Sequence, residues 1–441
     1  MNVLILTTFY PPDTAVAAIR PYMFAKYLTK LGHKVTVLRS GEIEHGFSSF
    51  YKNDPSVRVI SFLGDESPAE RYERGENVAA LSSGCRFHFI PAALRSFLLK
   101  LHFLLLGAPF FSKKLKETQN RVQMQKTALD RLSEEHFDVV FSTYGLTENI
   151  FAGQYAAQLF DCPLIQDFRD SLANREFQNR RQYAIMKQIQ DYAVKCADIC
   201  TAVSQGVLRE VCPDEYQSRG RVLYNGFEHV SDAEFTTESE KDVLSFCYTG
   251  QVYAGKQDFS PLLKALRKLS DERKISLDKI RIHYAGRNFG YLYQKAEKYG
   301  VANVMIDHGH MQREDVLQLQ KRSDLFVVLS WNTKKSQGVL TGKFYEGIRA
   351  HKPILAMVAG EVPNSELNLI EQQYHYGFCY ETSRKKEQFG RLCDYIEKAY
   401  QDKMASGAVG YAPDAALAQD FRYDVLSKRL EEICHQLIRE K

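Results

Sequence analysis

Short apolar runs rich in branched residues alternate with longer amphipathic segments along most of the chain. The short runs have the length and composition of buried strands, and the longer segments have the apolar spacing of helices. This alternation is typical of βαβ units, in which helices connect parallel strands. The first half is predicted to contain strands at Val3–Thr7, Lys34–Leu38, Val57–Phe62, Asp138–Ser142, Pro163–Asp167 and Asp198–Val203, with helices between them that include Ala15–Leu31, Thr147–Leu159 and Arg180–Lys195.

An acidic segment, residues 227–242, interrupts the alternation and carries six acidic residues and one lysine. The alternation then resumes with predicted strands at Val243–Tyr248, Lys279–Ala285, Val304–Asp307, Leu325–Ser330 and Pro353–Val358. The tail Asp414–Ile438 has apolar residues at helical spacing and no following strand. We therefore predict an α/β protein with two doubly wound domains, at residues 1–226 and 243–412, an acidic linker at 227–242, and a C-terminal helix within 413–441 that packs back across the hinge.

Composition narrows the class of protein. The 441 residues, of which 44% are apolar and 25% charged, suit two ordinary globular domains and exclude disordered and fibrous classes. The net charge of +4 is too small for a dedicated nucleic-acid binder. The nine cysteines are odd in number and scattered, which favours reduced thiols. Residues 1–6 lack the features of a signal peptide, and no apolar run reaches about 18 residues, so a cytosolic protein without a transmembrane helix is expected.

A proline-terminated turn follows the first predicted strand. Pro11 and Pro12 end the strand, and the small residues Ala15 and Ala17 begin a helix whose amino-terminal amides can face a ligand. The turn has no Gly-x-Gly-x-x-Gly pattern, which argues against a dinucleotide site. A Rossmann-like turn that binds nothing is the alternative interpretation.

Charged residues close the predicted strand Pro163–Asp167. Asp167, Arg169 and Asp170 stand where parallel sheets bind ligands, and charges there are unfavourable to bury unless they are paired or used on a ligand. Two interpretations stay open: contact with an acceptor substrate, or a structural role in which Arg169 and Asp170 brace the start of a helix.

Two segments of the second half have the features of a phosphate site. Lys256 follows Gly250 by six positions in the turn after the first strand, and Arg287 ends the next strand, so each can supply a fixed cation. In Ser336–Leu355, a loop of small and hydroxyl residues enters a helix whose amino terminus can receive phosphate oxygens. Glu346 lies about one turn inside, where a carboxylate can accept hydrogen bonds from ribose hydroxyls. An exposed loop lysine and a solvated helix glutamate are the alternatives.

Together these segments resemble glycosyltransferase family 4, whose members have the GT-B fold of two Rossmann-like domains facing a cleft. The resemblance rests on Phe-Tyr-Pro-Pro with a later Leu-x-x-x-Gly-His-x-Val-x-Val, on Asp-x-Arg-Asp, on the Gly-to-Lys spacing, and on a Glu followed by Lys-Pro-Ile. It departs from the family where alanines replace paired glycines, where Gln251 replaces an Arg, and where Gly338 replaces the first of two glutamates.

The resemblance implies a retaining transfer from a nucleotide-diphosphate sugar to an acceptor held by the first domain, with no obligatory metal and no other cofactor. It implies catalytic roles for Lys256, Arg287, Asp167 and Asp170; donor contacts from Gly250, Gln251, Lys256, Arg287, His310, Met311, Gly338, Thr341, Gly342, Lys343 and Glu346; and acceptor-side roles for Ala15, Ala17, Arg20 and Arg169. His308 and His310 lack further ligands at zinc spacing, so no metal site is predicted.

Residues 77–116 contain six Lys or Arg and no Asp or Glu around a strongly apolar stretch. Such a segment suits an anionic membrane surface, with Arg95, Lys100, Lys113 and Lys114 facing the lipid. Packing as a core helix of the first domain is the alternative. We expect a peripheral enzyme on the inner face of the cell membrane that uses a glycan or lipid-linked acceptor in surface polysaccharide or lipopolysaccharide biosynthesis. A nucleotide-sugar epimerase of the same fold and a non-catalytic nucleotide-binding relative stay open.

Overall fold

Two parallel sheets organise the chain. The computed structural model describes residues 1–13, 15–41, 54–63, 116–228 and 239–441. The first sheet has the order β3-β2-β1-β4-β5-β6-β7 and the second β10-β9-β8-β11-β12-β13. The strands of the first are β1 (Asn2–Leu6), β2 (Lys34–Arg39), β3 (Arg58–Ser61), β4 (Val139–Thr143), β5 (Leu164–Phe168), β6 (Ile199–Ala202) and β7 (Gly220–Val222). Those of the second are β8 (Leu244–Thr249), β9 (Ile280–Ala285), β10 (Met305–Asp307), β11 (Leu325–Trp331), β12 (Ile354–Ala359) and β13 (Gly377–Glu381).

Helices connect these strands. In the first half they are α1 (Val16–Lys30), α2 (Glu148–Leu159), α3 (Arg180–Cys196) and α4 (Gln205–Val211), and residues 116–130 are also helical. In the second half they are α5 (Ser260–Asp271), α6 (Phe289–Lys298), α7 (Arg313–Arg322), α8 (Gly342–Arg349), α9 (Glu366–Tyr374), α10 (Lys385–Ser406), α11 (Ala416–Asp420) and α12 (Tyr423–Glu440). Short 3-10 turns lie at Asp214–Arg219, Leu277–Lys279, Ala302–Val304 and Thr382–Arg384.

Each sheet is buried on both faces, which explains the continuous apolar runs in the sequence. In β1, Leu4 and Leu6 pack into one core of the first domain, whereas Val3 and Ile5 pack into the other. The strands of the second sheet alternate in the same way between two cores. The predicted doubly wound α/β architecture is therefore confirmed in both halves.

The chain ends with two helices instead of the single helix that the tail pattern predicts. Phe421, between α11 and α12, is buried in a core of the second domain, and Tyr423 and Leu426 are buried in a core of the first. The break is held by Phe227, whose backbone N donates to Phe421 O at 3.0 Å and whose O accepts from Tyr423 N at 3.1 Å. The prediction of one continuous helix is wrong, because the chain bends at Phe421, where it passes from the second domain to the first. The prediction that the C-terminal helix packs back on the first domain is confirmed.

The order of the strands places a ligand crevice in each domain. β1 lies between β2 and β4, and β8 lies between β9 and β11, so the chain reverses its winding beside each of these strands. Doubly wound sheets bind ligands at the carboxyl ends of such strands. Residues 223–243 separate the two sheets; the domain boundaries drawn from the sequence stay predictions.

The four cationic residues that are predicted to face the membrane lie outside the described residues; they are Arg95, Lys100, Lys113 and Lys114. Within the described part, no helix has both the length and the apolar character that crossing a bilayer requires.

Candidate active site

Two glycines form the floor of the crevice at the carboxyl end of β8. Gly250 has φ +122°, and a Cβ atom there would lie 2.8 Å from Cε of Lys343. A Cβ atom on Gly286, after β9, would lie 2.3 Å from the carbonyl oxygen of Gly250. Glycine at position 250 therefore lets the side chain of Lys343 lie directly over the turn, and glycine at position 286 lets the two loops approach each other.

The amino terminus of α8 opens onto this floor. Thr341 is the N-cap residue, but its side chain makes no capping hydrogen bond. Its Oγ1 is enclosed and has no hydrogen-bond partner among the described residues. Gly342, the first helical residue, is exposed. The first-turn amides of a helix lack intrahelical partners and carry partial positive charge, so this end of α8 is suited to an anion.

Lys343 and Glu346 form an accessible ion pair one turn into α8. Lys343 Nζ lies 2.8 Å and 2.9 Å from the two carboxylate oxygens of Glu346. Gln320 of α7, which is 2% exposed, donates from Nε2 to Glu346 Oε2 at 2.8 Å and to Thr249 Oγ1 at 2.9 Å. The side chain of Glu346 is still 32% exposed. A buried amide thus orients the carboxylate while leaving it open to a ligand. No sequence motif pointed to Gln320.

The two domains meet beside the helix at glycines. Gly338 has φ +70°, and a Cβ atom there would lie 2.5 Å from Cα of Gly206 in the first domain. Ser204 Oγ would lie 2.6 Å from the same atom. In this arrangement of the domains, the glutamate that the resembled family carries here would collide with α4. Glycine at position 338, in place of that glutamate, therefore fits the close contact between the domains.

Lys256, a predicted donor contact, lies where the two domains meet, and its charge is matched by a carboxylate of the first domain. Its Nζ lies 2.7 Å from Oε2 of Glu176, which belongs to the first domain. The same amine lies 3.6 Å from the ring centroid of Phe177 and 5.3 Å from that of Trp331. Thr333 donates to the other oxygen of Glu176 at 3.3 Å. An interdomain ion pair therefore closes this side of the cleft; Glu176 lies in a loop without a recognisable motif, and sequence reasoning missed it.

The other predicted donor contacts lie on loops at the ends of β8, β9 and β10. Arg287 and Gln251 are exposed, as is His310, and Met311 is half-buried. The backbone N of Gly286 donates to the carbonyl of Gly309 at 2.8 Å, which joins the loops after β9 and β10. These positions border the same crevice; their roles stay predictions.

His308 pairs with His283 of β9. Nε2 of His308 lies 2.9 Å from Nδ1 of His283. Burial lowers the pKa of His283 to about 4, and the neighbouring His308 adds to the effect. Burial also lowers the pKa of His308. A proton on one imidazole would face the other ring, so the pair is neutral near pH 7.

In the first domain, Asp167 and Arg20 form a buried pair. Arg20 donates from Nη2 to Oδ1 at 2.7 Å and from Nε to Oδ2 at 2.9 Å, and both residues are at most 2% exposed. Thr143 and Thr201 also donate to the carboxylate, at 2.8 Å and 2.7 Å. Burial acts to raise the pKa of Asp167, but the charge and hydrogen bonds of Arg20 outweigh it and hold the pKa below its usual value.

These contacts correct two predictions. Asp167 was expected to act in catalysis and Arg20 on the acceptor side, but neither offers an accessible face to a substrate. Arg20 also donates to the carbonyl oxygens of Leu223 at 2.9 Å and Tyr224 at 2.8 Å. The pair therefore joins α1, β5 and the segment that leaves the first sheet.

Arg169 has the bracing role that the sequence left open. It donates from Nε to Tyr144 O at 2.9 Å and from Nη1 to Ala17 O at 2.7 Å, which holds the start of α1 against the loop after β4. Asp170 is exposed at the surface. Reduced hydration of its carboxylate raises its pKa, and the charge of Arg169 opposes that shift. Ala15 is nearly buried, and its N donates to Asp13 Oδ1 at 2.7 Å.

No protein-family model matches the chain. No curated protein matches it either. Among solved structures, it is similar to a sucrose-phosphate synthase from Thermosynechococcus elongatus, with a TM-score of 0.56 and 12% identity over 100% of both chains. It is also similar to the lipopolysaccharide outer core galactosyltransferase WaaB, with a TM-score of 0.57 and 10% identity over 99% of each chain. A third, an E. coli trehalose-6-phosphate protein bound with UDP-2-fluoro glucose, has a TM-score of 0.57 and 8% identity over 99% of each chain. These likenesses establish the GT-B fold.

Proposed function

We propose that this protein is a glycosyltransferase that moves a sugar from a nucleotide-diphosphate sugar to an acceptor. The observation that carries the proposal is the set of groups at the start of α8: a helix amino terminus without a side-chain cap, the amine of Lys343 and the oriented carboxylate of Glu346. A diphosphate needs the amides and the cation, and the vicinal hydroxyls of a ribose need the carboxylate. A nucleoside diphosphate offers a partner to each of the three.

The proposed chemistry uses fixed charges. When the bond between the anomeric carbon and the diphosphate oxygen breaks, negative charge grows on the departing phosphate, and the α8 amides and Lys343 stabilise it without reorganising. Retention of configuration, as family 4 resemblance implies, has the acceptor oxygen attack on the same face. Its proton passes to the leaving phosphate oxygen, so no protein base and no metal or other cofactor are required. Lys256 and Arg287 are the proposed additional cations.

Donor binding is proposed to compete with Glu176 for Lys256. The amine contacts Glu176 at 2.7 Å, and its side chain is only 28% exposed. An incoming diphosphate offers the amine more negative charge than one carboxylate does. We propose that the donor displaces Glu176 and that this exchange loosens one of the contacts between the domains.

The acceptor is proposed to be a lipid-linked sugar in surface polysaccharide or lipopolysaccharide assembly. The names of two structural neighbours, a lipopolysaccharide galactosyltransferase and a protein bound with UDP-2-fluoro glucose, accord with this class of substrates. The cationic apolar block at residues 77–116 accords with a peripheral position on the inner face of the membrane. Flotation with anionic liposomes should fall when Arg95, Lys100, Lys113 and Lys114 are changed to Gln; unchanged flotation would reject the electrostatic contribution.

A transfer assay tests the function. Purified protein is incubated with a panel of nucleotide sugars and lipid-linked or free glycan acceptors, and acceptor-dependent release of nucleoside diphosphate is measured. Glu346→Ala should abolish release while the circular dichroism spectrum stays unchanged. Glu387→Ala is the matched control, because Glu387 in the first turn of α10 pairs with the N-cap residue Arg384 at the same i,i+3 spacing. Release that persists in Glu346→Ala would remove α8 from the mechanism.

A further inference from the structure

Two histidines and a glutamate converge where the C-terminal helix meets the first domain. His33 lies in the turn between α1 and β2, and Glu431 and His435 lie one turn apart on α12. This cluster is remote from α8 and plays no part in the proposed transfer. Nothing in the sequence patterns pointed to it, because His33 is nearly 400 residues from its partners along the chain (|i−j| = 398 for Glu431).

The distances within the cluster suit a tetrahedral metal ion. His33 Nε2 lies 2.5 Å and His435 Nε2 lies 3.9 Å from Oε1 of Glu431, and the three ligand atoms all lie within 4.8 Å of one another. With metal–ligand bonds of about 2.0–2.2 Å, ligand atoms on tetrahedral zinc are about 3.3 Å apart. The observed separations bracket this value. The side chain of His435 is 52% exposed, so its ring can rotate toward the other two ligands without disturbing the core.

The surroundings orient His33. Its side chain is only 9% exposed, and its Nε2 faces Oε1 of Glu431. Burial of the ring therefore fixes this nitrogen in the direction of the carboxylate. The i,i+4 spacing of Glu431 and His435 places both side chains on one face of α12.

The neighbouring cysteine is not part of the cluster. Cys434 is fully buried on the apolar face of α12, among residues of the first-domain core. Its Sγ does not belong to the group of ligand atoms that lie within 4.8 Å of one another. The candidate ligands are therefore two imidazoles and one carboxylate.

We propose that His33, Glu431 and His435 bind a zinc ion that fastens α12 to the first domain. Imidazole nitrogen with one carboxylate oxygen favours zinc over magnesium or calcium, which prefer sites built from oxygen alone. Three protein ligands leave the fourth tetrahedral position to water. The ion takes the place of the direct contact between His33 and Glu431 and bridges two elements whose apolar faces pack together in the first-domain core.

The test measures zinc binding to the full chain. Metal-free protein is titrated with zinc chloride by calorimetry, and with cobalt chloride while visible absorption is recorded. The wild type is expected to bind one more zinc per chain than His435→Ala, to show the intense d–d bands of tetrahedral cobalt, and to unfold at a higher temperature with zinc. Glu431→Gln is expected to behave like His435→Ala. Neither change threatens folding, because glutamine keeps the size of the Glu431 side chain and the side chain of His435 is 52% exposed.

His136→Ala is the matched control. His136 also contacts a carboxylate, Asp138, at 2.9 Å, and is exposed, but no third ligand atom accompanies this pair among the described residues. The His136→Ala variant should retain the zinc stoichiometry and the cobalt bands of the wild type. Equal zinc binding in His435→Ala and His136→Ala, or no zinc binding by the wild type, would overturn the proposal.

Discussion

Two ion pairs near the carboxyl ends of central strands show how differently the two halves of the cleft are built. In the first domain, Arg20 and Asp167 are buried, and their hydrogen bonds extend to two threonines and two backbone carbonyls. In the second domain, Lys343 and Glu346 are about 30% exposed, at 28% and 32%. Only the second pair has hydrogen-bonding capacity left for a ligand.

The comparison shows that a charged residue at the end of a parallel strand is not thereby part of a site. Whether its hydrogen-bonding capacity is already satisfied by the protein decides between a structural role and a role in ligand binding. The Asp167 carboxylate accepts four side-chain hydrogen bonds, whereas the amine of Lys343 has only Glu346 as a described partner. The first pair stabilises the fold, and the second is available for chemistry.

The largest effect is expected from breaking the buried pair. Asp167→Ala leaves the Arg20 charge uncompensated in the core and should lower the free energy of unfolding by ~3–5 kcal/mol. Urea denaturation followed by circular dichroism measures it. Asp170→Ala, three positions along and exposed, is the control and should change stability by less than ~0.5 kcal/mol. Similar losses in the two variants would contradict the division between the pairs.

Breaking the accessible pair is expected to affect binding and not stability. Lys343→Met should weaken the binding of a nucleoside diphosphate by ~10- to 100-fold, because a charge-assisted hydrogen bond of ~1.5–3 kcal/mol is lost. It should leave the much weaker binding of the free nucleoside nearly unchanged. Arg384→Met, at the N-cap of α10, controls for the loss of a cation paired at i,i+3. A uniform loss for diphosphate and nucleoside would place Lys343 elsewhere than at the phosphates.

An intermediate effect is expected from the His283 and His308 pair, which is half-buried. Because burial holds the pKa of His283 at about 4, below its value in the unfolded chain, the unfolded state binds more protons between pH 4 and 6.5. Stability is therefore full above pH 6.5 and falls on acidification toward pH 4. His283→Gln should reduce the loss between pH 7 and 5 by ~1 kcal/mol, after allowance for partial solvation. An unchanged pH profile, with His136→Gln as control, would contradict this.

The smallest effect is expected from the interdomain contact. Glu176→Gln frees the amine of Lys256 and should strengthen nucleoside diphosphate binding by up to ~5-fold, since a partly exposed ion pair is worth up to ~1 kcal/mol. Trp331, the only tryptophan of the chain, lies 5.3 Å from that amine, so its fluorescence reports the exchange directly. Glu135→Gln, which breaks an exposed pair with Arg58, is the control. Weaker binding in Glu176→Gln would show that Glu176 supports the site instead of competing for it.

Periodicity predicted the fold well because both sheets are parallel and buried on two faces. Strands such as β1 and β11 are uninterrupted apolar runs whose length and flanking turns identify them. Two short edge strands, β7 and β13, were not predicted, and the bend at Phe421 was missed. These depend on partners distant in the sequence, namely Ala202 beside β7 and Phe227 beside the bend.

Gly250, Lys343 and Glu346 could be assigned to one candidate site from the sequence, because all three lie in local strand-turn-helix units of the second domain. Spacing did not reveal Gln320 or Glu176, whose functions arise only when α7 and the first domain pack against that unit. It also misassigned Arg20 and Asp167, since their separation of 147 positions hides the contact that buries them. Local motifs thus indicated which residues cluster at the candidate site, and pairing between distant parts of the chain decided the rest.

Calorimetric titration of the wild type and Glu346→Ala with UDP, ADP, GDP and TDP tests the central claim most directly, that α8 binds a nucleoside diphosphate. The account predicts one saturable site per chain for at least one of these ligands in the wild type and in Glu387→Ala. In Glu346→Ala the same ligand should bind at least ~10-fold more weakly, through loss of the ribose hydrogen bonds. Absence of binding by the wild type, or equal affinity in Glu346→Ala, would contradict it.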